Sequence, residues 1–129
     1  MKPETLLDAV EIIREGFAEE ALAEWAREPL SHALALAHLA LGMWIRNNFI
    51  HGEGSPLATR IKESATLWHP LAPIWHPDDS SSLVLEALWR VLNGEECPTI
   101  TDLVKRSANG LNRQGELSGF GDGQVREEA

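Results

Sequence analysis

A chain of 129 residues has the length of one domain, and its net charge of −9 works against nucleic-acid phosphate at long range. The single cysteine, Cys97, excludes an intramolecular disulfide and a cysteine-built zinc site. Five Trp, three Phe and no Tyr make an uneven aromatic set; four of the Trp lie between Trp44 and Trp89, where core and binding surface are expected.

The first 28 residues hold eight acids and three bases. Acids recurring from Glu4 onward do not suit a signal peptide, so a cytoplasmic location is expected. Leu6, Val10, Ile13, Phe17, Ala21 and Trp25 recur every three or four positions. Residues 4–28 therefore read as one amphipathic helix, bent at Gly16 and ended by Pro29. Ser31 is the expected N-cap of the next helix.

From His32 to Phe49 almost every residue is apolar. That pattern predicts a central helix buried on nearly all sides, with Trp44 in the core and Arg46 near its polar end. The longest apolar stretch, Ala33 to Ile45 with His38 interrupting it, is too short to span a bilayer. His32 and His38 read as single core or boundary histidines. A turn follows at 52–56, then a helix from Leu57 to Leu67 with Leu57, Ile61 and Ala65 inward. Prolines punctuate residues 68–77, where Trp-His-Pro occurs twice. Trp68 and Trp75 either pack under this loop or form a partner contact. Asp78, Asp79 and Ser80 are alternative N-caps for a last main helix through Leu92, with Leu83, Val84, Ala87, Leu88 and Val91 inward. Asn93-Gly94 is a stop, and Thr101 to Ala108 form a further turn or two. No segment alternates as a strand does. The expected fold is all-α: a compact bundle of about four helices over residues 1–108, with a flexible tail over 109–129.

The sharpest chemical pattern is Arg46 with His51. An imidazole moves protons near neutral pH, and a guanidinium holds a phosphate and stabilises added negative charge. The pair resembles the Arg-x4–6-His signature of HEPN ribonucleases, with Asn47 matching the polar residue that often follows the Arg. That resemblance implies a small helical, commonly dimeric, metal-independent endoribonuclease with Arg46 and His51 catalytic and RNA as its partner. On an ideal α-helix, however, residues five apart lie about 140° around from one another. The alternative has Arg46 at the helix C-terminus, where cations are favoured, and His51 packed in the turn.

A longer set of blocks spans Leu41 to Gly94: Trp44-Ile45-Arg46-Asn47-Asn48, Gly54-Ser55-x-Leu57 and His76-Pro77-Asp78-Asp79-x-Ser81. These resemble an uncharacterised family of small bacterial and phage-borne proteins, in which no regular His stands at the position of His51. In physical terms the blocks make a polar cluster. Arg46 pairs with Asp78 or Asp79, Asn47 and Asn48 satisfy loop backbone groups, and His76 bonds either acid. Such a cluster is a binding site or a clasp that fixes the loop. His69, His76, Asp78 and Asp79 match no established zinc spacing, so neither metal nor cofactor is expected. The function expected is a small acidic interaction protein of the inhibitor, antitoxin or immunity kind. Its partner is a protein with a basic face; a homodimer is left open, no membrane is involved, and nucleic acid enters only with the ribonuclease alternative.

Overall fold

The computed structural model describes residues 2–51, 54–68 and 76–106. Among them every regular element is helical. Gly52, Glu53, the loop residues 69–75 (His69 and Trp75 among them) and the tail expected over 109–129 lie outside the described residues.

Helix α1, Leu6–Gly16, starts where the Thr5 side chain accepts the Asp8 N–H at 3.0 Å. Its buried face is Leu6, Ala9, Val10 and Ile13. The single helix expected over 4–28 is not formed. Phe17 is extended (φ −118°, ψ 153°), and α2 begins anew at Glu19–Ala26. Gly16 weakens the helix at this point. The extended Phe17 also sets its ring edge-on against Trp44, 5.1 Å between centroids. The break moves the apolar face: Leu22 and Ala26 are buried, whereas Ala21 is exposed.

Helix α3, Leu30–Ala37, starts after Pro29 rather than Ser31, which lies inside it. Three side chains tie the α2–α3 corner through backbone carbonyls. Trp25 Nε1 donates to Ala33 O at 2.8 Å, Trp89 Nε1 to Glu28 O at 2.9 Å, and Asn93 Nδ2 to Ala26 O at 3.1 Å. Ala26 and Glu28 stand at and just past the end of α2, where helix geometry leaves carbonyls open, and the Ala33 carbonyl inside α3 takes Trp25 as an additional donor.

The apolar run His32–Phe49 is three pieces instead of one buried helix. A turn at 38–40 separates α3 from α4, Leu41–Ile45, which passes into a π-helical segment, Arg46–Ile50. Nor is the run buried all round: Leu36 is 54%, Leu39 73% and Met43 47% exposed. Trp44 is half-buried at the edge of the core, edge-on to both Phe17 and Phe49.

The segment that enters α5 follows the expected turn closely. Gly54 is left-handed (φ 74°), and the Ser55 hydroxyl donates to Phe49 O while accepting the Ala58 N–H at 3.1 Å. Helix α5, Pro56–Trp68, then buries Leu57, Ile61 and Ala65, as read from the sequence. The Gly-Ser-x-Leu block is thus a left-handed turn, a cap and a core anchor.

The central element is α6, Pro77–Leu92. It buries Ser80, Ser81, Leu83, Val84, Leu85, Ala87 and Leu88, and packs on α1, α2, α3, α4 and the π-helical segment. Its N-cap is His76, not Asp78, Asp79 or Ser80: His76 Nδ1 accepts the Asp78 N–H at 3.0 Å, and the Asp79 carboxylate accepts the His76 N–H at 3.2 Å. Gly94, left-handed at φ 85°, follows the C-cap Asn93. Residues 100–106 are helical and bury Leu103 and Val104 on the core. The bundle therefore has more and shorter helices than the four expected. Among the described residues, no helix is long and apolar enough to cross a membrane.

Candidate functional site

The polar cluster forms where the π-helical segment meets the start of α6. Arg46 is 9% exposed, and all three guanidinium nitrogens are engaged. Nη1 donates to Ser81 Oγ at 3.1 Å, Nη2 to the His38 carbonyl at 3.4 Å, and Nε lies 3.3 Å from Asp78 Oδ1. Ser81 in turn donates to the Asp78 carbonyl at 3.0 Å. The other Asp78 oxygen lies 3.6 Å from His76 Nδ1 and 3.9 Å from His38 Nε2. One carboxylate thus faces an arginine and two histidines, and its 44% exposure keeps the cluster open to water on that side.

Gly42 makes room for this arrangement. A Cβ there would stand 3.3 Å from Arg46 Nη1, 3.3 Å from Ala37 O and 3.6 Å from Leu85 Cδ1. Burying a guanidinium without partners is strongly unfavourable, and the fold supplies them from the start of α6 and from the turn at His38. Of the acids at the start of α6, Asp78 takes Arg46, while Asp79 serves the cap. Asn48 donates to Trp44 O of its own helix at 2.8 Å rather than to a loop, and Asn47 is exposed.

The relation of Arg46 to His51 differs from that on an ideal helix. The His51 N–H donates to Arg46 O at 2.7 Å, the i→i+5 bond of a π turn, so the two backbones lie one turn apart. The side chains go separate ways. Arg46 turns inward to α6, whereas His51 is exposed on extended backbone (φ −74°, ψ 156°). No hydrogen bond or ion pair joins them among the described residues.

Sequence reasoning missed three members of the cluster: Ser81, His38 and Gly42. Ser81 stands three residues after Asp78 and Gly42 four before Arg46, spacings that share one helix face. His38 carries no such signal, because a turn brings its carbonyl to Arg46. Chemically, the cluster holds a guanidinium engaged at each of its nitrogens and a hydroxyl that both accepts and donates. His76 Nδ1 is occupied by the α6 cap. Among the described residues no group of three His, Cys, Asp or Glu is arranged to hold a metal ion.

Two further surfaces stand apart from the cluster. Trp68, on α5, packs under the Lys105 ammonium, 4.7 Å from the ring centroid. A groove of about 610 Å³ runs between α1, α2 and the end of α6. Glu11, Arg14, Glu15 and Glu19 wall it, over Leu22, Ala23, Val91 and Leu92. It exists because the chain turns at Phe17 and sets α2 off from α1. Nearby, burial pushes the Cys97 thiol above its ordinary pKa, and the Glu11 charge adds to this. Across α6, burial opposes the charge of Arg90, but Glu86 at 2.7 Å and Glu95 at 3.1 Å outweigh it and hold its pKa above the ordinary value.

No curated protein and no solved structure matches the chain. A family model does match, over residues 2–92, which takes in the whole Arg46–Asp78–Ser81 cluster and ends with the last residue of α6. The chain belongs to that family, described as a domain of unknown function (DUF6794).

Proposed function

We propose that this chain is a non-catalytic, cytoplasmic interaction protein of the inhibitor, antitoxin or immunity kind, which engages a protein partner through a basic face of that partner. The observation that carries this reading is the groove, with three glutamates and one arginine standing over an apolar floor. A partner segment with lysine or arginine on its sides and apolar residues between would meet opposite charge at the rim and apolar surface at the base. The first 28 residues, at eight acids to three bases, extend the same field around it and would steer a basic partner in. The Arg46 cluster on this reading is a clasp that holds the start of α6 to the π-helical segment.

The test is affinity capture with the full chain from native lysate, at low and raised salt. A basic protein retained at low salt, released by salt, and lost when Glu11, Glu15 and Glu19 are all replaced by lysine is expected. Capture that is indifferent to both changes would remove the basis for the proposal.

A ribonuclease reading has one observation in its favour, the π turn that sets Arg46 and His51 one turn apart. Metal-free RNA cleavage by the purified protein, lost in both Arg46→Ala and His51→Ala, would establish it in place of the interaction protein. No cleavage is expected, because the guanidinium is committed to Asp78 and Ser81.

A further inference from the structure

Helix α6, on which the other helices pack, is capped by an imidazole. The side chains that favour this position are Ser, Thr, Asp and Asn, whose oxygens accept a backbone N–H. Ser, Thr and Asn keep that acceptor at any ordinary pH. An imidazole nitrogen accepts only while it carries no proton, and in the imidazolium both ring nitrogens donate. The bond from the Asp78 N–H to His76 Nδ1, at 3.0 Å, therefore requires the neutral ring with its proton on Nε2. The side chain is 66% exposed, so water delivers a proton to it directly.

The groups around the ring set what a proton does there. On α6 itself, Asp78 Oδ2 lies 3.6 Å from Nδ1, and the Asp79 carboxylate accepts the His76 backbone N–H at 3.2 Å. From the turn at 38–40, His38 Nε2 lies 3.9 Å from the same Asp78 oxygen. From the π-helical segment, Arg46 Nε faces the other oxygen, Oδ1, at 3.3 Å. A proton on Nδ1 ends the bond from the Asp78 N–H and finds its acceptor in the carboxylate of that same residue. The Asp79 half of the capping box and the Arg46 contact are made by other atoms and stay in place.

We infer that the start of α6 is a proton-sensitive latch. Protonation of His76 moves Nδ1 from the Asp78 N–H to the Asp78 carboxylate, and the first turn loosens while the clasp to Arg46 holds. The sign follows from the bond itself: the cap is present with the neutral ring and is lost as pH falls through the range, about 8 to 5, in which imidazoles take up a proton. A positive charge at a helix N-terminus is unfavourable, whereas its pairing with Asp78 is favourable. These oppose one another in overall stability, so the signal is local. The inference stands independently of the groove and of the partner proposed for it.

NMR on the full chain between pH 8 and pH 5 tests it. At pH 8 the His76 ring nitrogens are expected to show the Nε2–H tautomer. As pH falls, exchange protection of the Asp78 amide, corrected for the intrinsic pH dependence of exchange, should drop roughly tenfold, the size of losing one cap. Its midpoint should match that of the His76 ring. His76→Asn supplies an acceptor that does not titrate and should keep the protection constant. His38→Gln should leave the drop in place, because His38 faces the carboxylate and not the capped N–H. A neutral His76 ring with its proton on Nδ1, or protection that stays constant while the ring titrates, overturns the inference. So does a drop that persists in His76→Asn or vanishes in His38→Gln. If His76→Asn fails to fold, the wild-type tautomer and the shared midpoint decide by themselves.

Discussion

The run from Leu30 to Ile50 and helix α6 form an instructive pair. The first is the most apolar stretch of the chain, yet it exposes Leu36, Leu39 and Met43 and is broken by the turn at 38–40. The second is interrupted by Asp78, Asp79, three serines, Glu86 and Arg90, yet it is the element on which the others pack. Apolar content alone did not decide which helix is central. Helix α6 is central because neighbours cover it on several sides, and its early polar residues are absorbed by bonds: Ser81 by Arg46 and Asp79 by the cap. Among the described residues, the Leu30–Ile50 run packs on α2, α5 and α6 but leaves Leu36, Leu39 and Met43 uncovered.

Paired core substitutions would break that comparison most forcefully. Leu88→Ala, at a fully buried position on α6, is expected to cost about 2–5 kcal/mol in chemical denaturation. Leu39→Ala, at an exposed position in the turn of the more apolar run, should stay within about 0.5 kcal/mol. Equal losses would mean that the two helices are equally central.

The clasp between the two regions gives the next effect in size. A double-mutant cycle of Arg46→Ala and Asp78→Ala should show coupling of about 0.5–3 kcal/mol, toward the low end because Asp78 is partly in water. Additive losses would show that the pair does not hold the regions together. His51→Ala should be nearly neutral for stability, since its side chain is exposed.

The cap sharpens the comparison further. His76→Ala removes the acceptor for the Asp78 N–H and should cost about 0.5–2 kcal/mol, with hydrogen exchange rising first at the start of α6. Unchanged exchange there would show that Asp79 and Pro77 suffice to start the helix.

Smaller still is the effect at Gly42. Alanine favours a helix over glycine by about 1 kcal/mol, but its Cβ would press on Arg46 Nη1 and Ala37 O. Gly42→Ala should therefore destabilise the wild-type chain and become neutral or stabilising in the Arg46→Ala background. The same sign in both backgrounds would separate Gly42 from the clasp. Last, Cys97 should react with iodoacetamide at pH 8 more slowly than a free thiol, because its raised pKa leaves less thiolate. A rate matching free cysteine would show the site to be open.

What the sequence determined by itself was set by local spacing. The inward face of α5 followed from Leu57, Ile61 and Ala65 at every fourth position, the stop at Asn93-Gly94 from a glycine able to take φ 85°, and the pairing of Arg46 with the acids near His76 from blocks of unlike charge. These depend on contacts within a few residues, or on a buried charge that must find its opposite. What the tertiary structure alone decided depends on partners distant in the chain. Phe17 leaves the helix to meet Trp44, which splits the first helix and opens the groove. The Arg46 guanidinium reaches across to Ser81, thirty-five residues away, through the space left by Gly42. The apolar run leaves Leu36, Leu39 and Met43 uncovered by any described element, and periodicity cannot reveal that: an apolar residue that meets a core and one that stays outside it look the same in sequence.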